Sequence, residues 1–318
     1  MSQIDVFNGD ADGICALHQL RLANPCESEL VTGVKRDIQL LSQVTPNESN
    51  KVTVLDISLD KNRSDLERIL KTGAQVDYFD HHFAGAIPVS PLLTAHINTS
   101  AEICTSLIVN SHLNSAHILW AITGAFGDNL HQAATEAASG LGLSAEELAA
   151  LRHLGECINY NGYGMTLDDL HFRPDDLYRH IRPHANPFSF MHESLHFRKL
   201  ADGYAEDMAQ ARDLEPLTHN SHVAVYILPD QSWAKRVAGV FGNELARDYP
   251  DRAHALLTTT GEEFYRVSVR APLTNKEHAD TLCMQFATGG GRKGAAGINE
   301  LPVTMFEAFI EAFENIYQ

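Results

Sequence analysis

The sequence predicts an α/β protein: a parallel sheet flanked by helices, then a linker helix, then a smaller C-terminal α/β domain. Three observations carry that expectation. Short apolar strands alternate with helical runs along the N-terminal part, the pattern of a parallel sheet. Three of those strands end abruptly in acids or histidines. A proline-flanked stretch, Arg182-Pro183-His184-Ala185-Asn186-Pro187, then separates the first run of elements from a second series of strands.

Ile4-Asp5-Val6-Phe7 reads as the first strand, followed by Asn8-Gly9-Asp10-Ala11-Asp12-Gly13 and a helix over Ile14 to Leu22. Val52 to Leu55 ends on Asp56, and the next helix takes Asn62 as N-cap and Gly73 as its left-handed stop. Val76-Asp77-Tyr78-Phe79 runs into Asp80-His81-His82. Such a strand end reads either as a metal or catalytic centre or as a solvated turn. In open α/β sheets the working crevice lies beyond the carboxyl ends of the strands, and Asp10, Asp12, Asp56, Asp80, His81 and His82 all fall there.

Thr99-Ser100-Ala101-Glu102 matches a capping box with Thr99 as N-cap. A helix over Ala116 to Ala125 runs into Gly127-Asp128-Asn129, where Asp128 reads equally as a further ligand or as an exposed helix-end acid. Ser144 caps a helix that reaches Tyr160 and breaks at Asn161-Gly162-Tyr163-Gly164. Tyr160 or Tyr163 there offers a stacking surface, or the segment is a plain helix stop. A helix near Leu167 to Ile181 follows, and His192 to Leu214 reads as a long bridging helix. His180 with His184, and His192 with His196, have helical spacing but lack the Glu of HExxH, and are read as solvated.

Composition sets the bounds. A chain of 318 residues with 44% hydrophobic content has enough apolar material for two cores. Nothing resembles a signal peptide or a membrane span, and Cys15, Cys26, Cys104, Cys157 and Cys283 show no CxxC pair, so a cytoplasmic location with reduced thiols is expected. A net charge of −17 with no basic stripe argues against a grip on long duplex nucleic acid. A small anionic substrate held by metal ions and a few arginines suits it better.

The C-terminal part opens on the strand His222 to Leu228 and a helix over Trp233 to Arg247, followed by strands Ala253 to Leu257 and Glu263 to Arg270. Alternation puts Arg266, Ser268 and Arg270 on one face of the last strand, either a solvated surface or a phosphate-binding wall. Gly289-Gly290-Gly291-Arg292-Lys293-Gly294 favours the latter: glycines let backbone amides approach an anion, and Arg292 and Lys293 supply charge.

Taken together, Gly9-Asp10-Ala11-Asp12-Gly13, Asp56, Asp80-His81-His82, Asp128 and the late GGG segment resemble, in this order, the DHH phosphoesterases that carry a C-terminal DHHA1 domain, in the branch of RecJ-type exonucleases and nano-RNases. The resemblance implies a DHH domain over 1–185, a linker and bridging helix over 186–215, and a DHHA1 substrate-binding domain over 216–318. It implies two divalent ions, Mn²⁺ first and Mg²⁺ second. Asp10 would hold one, Asp12, His81 and Asp128 the other, and Asp56 would bridge both. Asp80 would orient His81, and His82 would face the substrate phosphate. Arg270, Gly290, Gly291, Arg292 and Lys293 would bind the rest of the substrate, in a cleft between the domains that would set its size.

Two departures stand out. Many members carry a His four residues before the first paired Asp, where this chain has Val6 with Asn8 nearby, and the common GGGH is GGGR here, with Arg292 in place of an imidazole. The expected activity is a metal-dependent phosphodiesterase acting on short linear oligonucleotides such as 5′-phosphorylated dinucleotides of the pGpG type. The alternatives are a cyclic-dinucleotide, bisphosphorylated-nucleotide or polyphosphate hydrolase, or a nucleotide sensor without turnover. A homodimer is left open.

Overall fold

Strand β1 (Ser2–Phe7) lies inside a five-stranded parallel sheet in the order β2-β1-β3-β4-β5. The structure is a computed structural model and describes residues 2–318. The chain divides into two compact units, the first ending at Asp202 and the second covering Gly203–Gln318.

In the first unit, α1 (Ala11–Ala23) follows β1 and leads to β2 (Ser28–Val31), β3 (Asn50–Leu55), α2 (Leu59–Lys71), β4 (Gln75–Asp80) and β5 (Leu93–Ile97). Strand order reverses at β1, whose sequence neighbour β2 pairs on one side while β3 pairs on the other. That is the switch point at which loops diverge and leave a crevice. Ile4 and Val6 of β1, Val52 and Val54 of β3, and Val76 and Tyr78 of β4 alternate onto one face and pack with Leu66 and Ile69 of α2.

A helical layer completes this unit: α3 (Thr105–His112), α4 (Ile118–Gly127), α5 (His131–Ala138), α6 (Ala145–Asn161), α7 (Pro174–Ile181) and α8 (Pro187–Glu193), with α9 (Leu195–Arg212) running across the division between the units. Helices α4 and α6 touch backbone to backbone, because a Cβ on Gly155 would come within 2.2 Å of the Thr123 carbonyl oxygen and one on Gly127 within 2.8 Å of Gly155 O. This contact sets the position of Asp128 at the end of α4.

The second unit is a six-stranded sheet, order β10-β11-β9-β8-β7-β6, built from β6 (Thr218–His219), β7 (Val223–Leu228), β8 (Ala253–Thr260), β9 (Phe264–Arg270), β10 (Gly289–Arg292) and β11 (Ala295–Pro302). Only β7 and β8 pair in parallel. Helices α10 (Ser232–Asp248), α11 (Ala279–Cys283) and α12 (Phe306–Ile316) accompany it, and Phe309 and Phe313 of α12 are fully buried in its core.

Several local expectations are corrected. Helix α2 begins after Ser58, and Asn62 lies inside it, where its amide donates to Ile38 O and Ser58 O and its carbonyl oxygen accepts from Leu41 N. The capping box at Thr99 does not form: Ser100 Oγ donates to Glu102 within a loop, and α3 starts only at Thr105. The helix expected over Leu167 to Ile181 is split into a short 3-10 turn at Leu167–Asp169 and α7. The glycine segment 289–297 forms a β-hairpin, β10 paired antiparallel with β11. The capping box at Ser144 and the left-handed Gly73 (φ +90°) are present as expected.

Candidate functional site

The loops at the carboxyl edge of the first sheet gather the acids. Asp10 caps α1, its side chain accepting from Gly13 N at 3.1 Å. Gly13 is required there: a Cβ would lie 2.2 Å from Asn8 O. Asp12, two residues on, points instead at α3, where its two oxygens accept the amides of Ser106 and Thr105, each at 2.7 Å. A carboxylate at a helix N-terminus satisfies donors that have no partner inside the helix. Each oxygen keeps a further lone pair for a cation. This capture explains why α3 begins where it does.

Asp56 has a left-handed backbone (φ +61°) straight after β3, held by its amide bonding Phe79 O at 3.0 Å. The turn directs its carboxylate, only 2% exposed, among the other acids, with Thr105 Oγ1 donating to it at 3.0 Å. Such a conformation costs a non-glycine residue energy and is concentrated at functional positions.

His81 Nε2 lies 3.4 Å from Asp56 Oδ1 and 3.8 Å from Asp128 Oδ2, while its Nδ1 is 2.9 Å from the Ile103 carbonyl oxygen. Since a carbonyl only accepts, the proton belongs on Nδ1 and Nε2 is left as a ligand. Here the structure departs from the sequence expectation. The imidazole that Asp80 holds is that of His82, with His82 Nδ1 donating to Asp80 Oδ1 at 2.7 Å; Asp80 reaches His81 only through its backbone amide, at 2.9 Å. Ile103, whose carbonyl orients His81, carries no local sequence signal.

One donor atom each from Asp12, His81 and Asp128 fall within 4.8 Å of one another, as do those of Asp56, His81 and His82. Asp10 joins neither group. Its partner is Lys35, from the segment after β2, whose Nζ is 2.6 Å from Asp10 Oδ2. Sequence reading passes over this lysine, since only the path of the chain brings it here.

The electrostatics are those of a crowded anionic site. Burial, with the fields of Asp12, Asp10, Asp128 and Asp80, pushes the Asp56 carboxyl well above the usual carboxylate range. Burial raises Asp128 too, against the pull of Lys35. Asp10 is held low: burial opposes this, but the Lys35 ammonium outweighs it. Burial would lower the His82 imidazole, yet its bond to Asp80 and the neighbouring acids hold it above its ordinary value. Hard carboxylates with one freed imidazole nitrogen match the donor preference of Mn²⁺ or Mg²⁺, and such an ion would offset the burial and repulsion that raise Asp56. The residues present therefore fit a divalent cation.

Tyr160 is buried and its hydroxyl is 2.7 Å from His171 Nε2, while the Tyr163 ring lies under Lys35 Nζ at 5.3 Å. Neither is a free stacking face. His180 and His196 stack on each other with ring centroids 3.4 Å apart, in neither of the i, i+4 pairs.

In the second unit, Ala295 of β11 pairs with Arg292 on one side and Arg270 on the other, so both arginines lie in one row of the sheet. Paired positions share a face, about 10 Å apart across two strand spacings. Arg270 is anchored: Nε donates to Asn243 Oδ1 at 2.7 Å and Nη1 to Ser268 Oγ at 2.9 Å. Arg292 is exposed, and Lys293 forms an ion pair with Glu277 at 3.0 Å. No helix among the described residues is long and apolar enough to cross a membrane.

No family profile and no curated protein sequence matches the chain. Solved structures do match its fold. A manganese-bound exonuclease RecJ superposes with a TM-score of 0.64 at 16% identity, over 99% of this chain and 90% of that one. RecJ of Thermus thermophilus in complex with Mn²⁺ gives 0.66 at 17%, over 99% of this chain and 52% of that one, so the chain spans about half its length. The pGpG-specific phosphodiesterase PggH of Vibrio cholerae gives 0.58 at 12%, over 100% and 99%. At these identities the likeness establishes the two-domain α/β fold that the DHH/DHHA1 resemblance implied.

Proposed function

We propose that the chain is a metal-dependent phosphodiesterase of the DHH type that hydrolyses short linear oligonucleotides, 5′-phosphorylated dinucleotides above all, to mononucleotides. The observation that carries this is the convergence of Asp12, Asp56, His81 and Asp128 at one sheet edge, with an imidazole nitrogen freed for a ligand. These four residues would hold Mn²⁺ or Mg²⁺. When bound, such an ion lowers the pKa of a water and offsets charge on phosphoryl oxygens during in-line displacement.

The chain's own groups supply the rest. Thr105 Oγ1 and the two α3 amides fix the Asp56 and Asp12 carboxylates before any ion arrives, so little reorganisation is left to do. Asp80, fully buried, holds His82 through Nδ1 and favours its protonated form. With its side chain 45% exposed, His82 can present Nε2 to a phosphate oxygen and carry a proton there. In the second unit Arg292, with Arg270 in the same row and the amides of Gly290 and Gly291 nearby, would take a terminal phosphate, since guanidinium binds phosphate in a forked manner. Lys293 would contribute less, being paired with Glu277.

The acidic balance, −17 overall, and the pGpG specificity of the PggH structure both support a short substrate. A side-by-side assay of a 5′-phosphorylated dinucleotide, a longer RNA, a cyclic dinucleotide and pyrophosphate with Mn²⁺ tests the proposal. Fastest turnover is expected on the linear dinucleotide. A preference for the cyclic compound or pyrophosphate would move the assignment to that substrate class.

A further inference from the structure

Asp10 is the acid of the cluster that a lysine ammonium meets directly. Lys35 reaches it with an ammonium whose side chain is 24% exposed: Nζ stands 2.6 Å from Asp10 Oδ2, 3.0 Å from Asn159 Oδ1 and 3.7 Å from Asp128 Oδ1, with the Tyr163 ring centroid at 5.3 Å. All four present negative density to a cation. The backbone of Lys35 is pinned as well, its amide donating to Gly162 O at 2.8 Å and its carbonyl accepting from Asn8 Nδ2 at 3.3 Å. The socket is thus built from the α1 cap, the ends of α4 and α6 and the turn after α6. An ammonium in such a place is an integral part of the site and not a surface residue that happens to fold inward.

Two further observations agree. Neither group of convergent donor atoms includes Asp10. Val6, four residues before Asp10, is buried and offers no ligand atom, which leaves Asp56 as the carboxylate that adjoins Asp10. We infer that the Lys35 ammonium takes the place of one of the two divalent ions: the chain holds a single ion tightly, on Asp12, Asp56, His81 and Asp128, and Lys35 on Asp10 supplies the second positive charge.

The geometry gives the lysine a use. An ammonium has three protons. Asp10 and Asn159 take two at hydrogen-bonding distance, while Asp128 at 3.7 Å lies beyond it. The third proton is left for a phosphate oxygen. A covalently tethered cation would position the phosphate without depending on a second ion's occupancy.

The inference rests on the phosphodiesterase reading but has its own readout, the number of tightly held Mn²⁺ ions per full-length chain, measured by equilibrium dialysis and metal analysis. One ion is expected in the wild type. Asp10→Asn should leave that count at one. Lys35→Met should admit a second ion, its apparent affinity raised at least about tenfold by removing a unit charge so near. Two tight ions in the wild type overturn the inference and leave the reaction class standing, whereas none overturns both. A Lys35→Met chain that keeps the native circular dichroism yet still holds one ion also overturns it. Should that variant not fold, the wild-type and Asp10→Asn counts decide.

Discussion

The Nδ1 atom of His81 lies 2.9 Å from the carbonyl oxygen of Ile103, and this contact leaves the Nε2 lone pair free to meet a cation. With the proton fixed on Nδ1, the Nε2 lone pair faces Asp56 and Asp128 at 3.4 and 3.8 Å. Neighbouring His82 is held the other way, by a buried carboxylate that favours its protonated form. Two adjacent imidazoles thus acquire opposite roles from the atom that each nitrogen meets.

The division separates two substitutions. His81→Ala should weaken Mn²⁺ binding by roughly 100-fold or more and remove turnover with it. Asp80→Asn should lower turnover about 10- to 100-fold while the Mn²⁺ affinity stays near the wild type, because Asp80 acts through His82. Calorimetric titration of the two variants checks this. Equal losses of metal affinity would show that Asp80 supports the ion after all.

Metal should stabilise the fold. Burial, with repulsion from the neighbouring acids, raises Asp56 and Asp128, and a cation that binds the native site and not the unfolded chain offsets that cost. At 100 times its dissociation constant, Mn²⁺ should add about 2.7 kcal/mol, seen as a rise in Tm that EDTA reverses. An unchanged Tm in saturating Mn²⁺ would contradict the metal centre.

Arg292 and Lys293 adjoin in sequence but differ in their partners. Lys293 is paired with Glu277, whereas Arg292 is exposed in the row that holds Arg270. Arg292→Ala should raise KM for a 5′-phosphorylated dinucleotide about tenfold or more, the loss of a charge-assisted contact, with kcat little altered. Lys293→Ala should change KM by a smaller factor. Steady-state kinetics on both variants reads the difference, and the reverse order would reject Arg292 as the phosphate contact.

A separate pH effect concerns the core of the first unit. His18 is buried, its Nε2 2.8 Å from His184 O and its Nδ1 without a hydrogen-bond partner. Burial lowers its pKa from 6.5 to about 4. A depressed folded-state value means that its contribution is intact above the unfolded value and is lost as pH falls from 6.5 towards 4, on the order of 3 kcal/mol. Urea midpoints of wild type and His18→Leu between pH 7 and pH 4.5 should diverge, the wild type losing more. Parallel curves would sink the assignment.

The strand ends are legible in the sequence because both signals are local: an apolar run long enough for a strand, and an acid or imidazole where it stops. That places Asp10, Asp12, Asp56, His81 and His82 at one edge. What stays hidden depends on distant partners. Thr99 has the form of a cap, yet the amides of Thr105 and Ser106 are captured by Asp12, more than 90 residues earlier, and the helix begins there. Lys35 belongs to no motif and enters the cluster only because Gly162 and Asn8 hold its backbone. The glycine run carries no strand pattern of its own because glycine permits many backbones; pairing with β11 selects the extended one.

Release of mononucleotide from a 5′-phosphorylated dinucleotide by the purified chain in Mn²⁺, alongside an Asp56→Asn variant, bears most directly on the central assignment. Steady release by the wild type is expected, with a loss of about three orders of magnitude in the variant, as befits removal of a deeply buried carboxylate proposed to hold the ion. No release by a wild-type chain shown to hold Mn²⁺, or equal release by both chains, would contradict it.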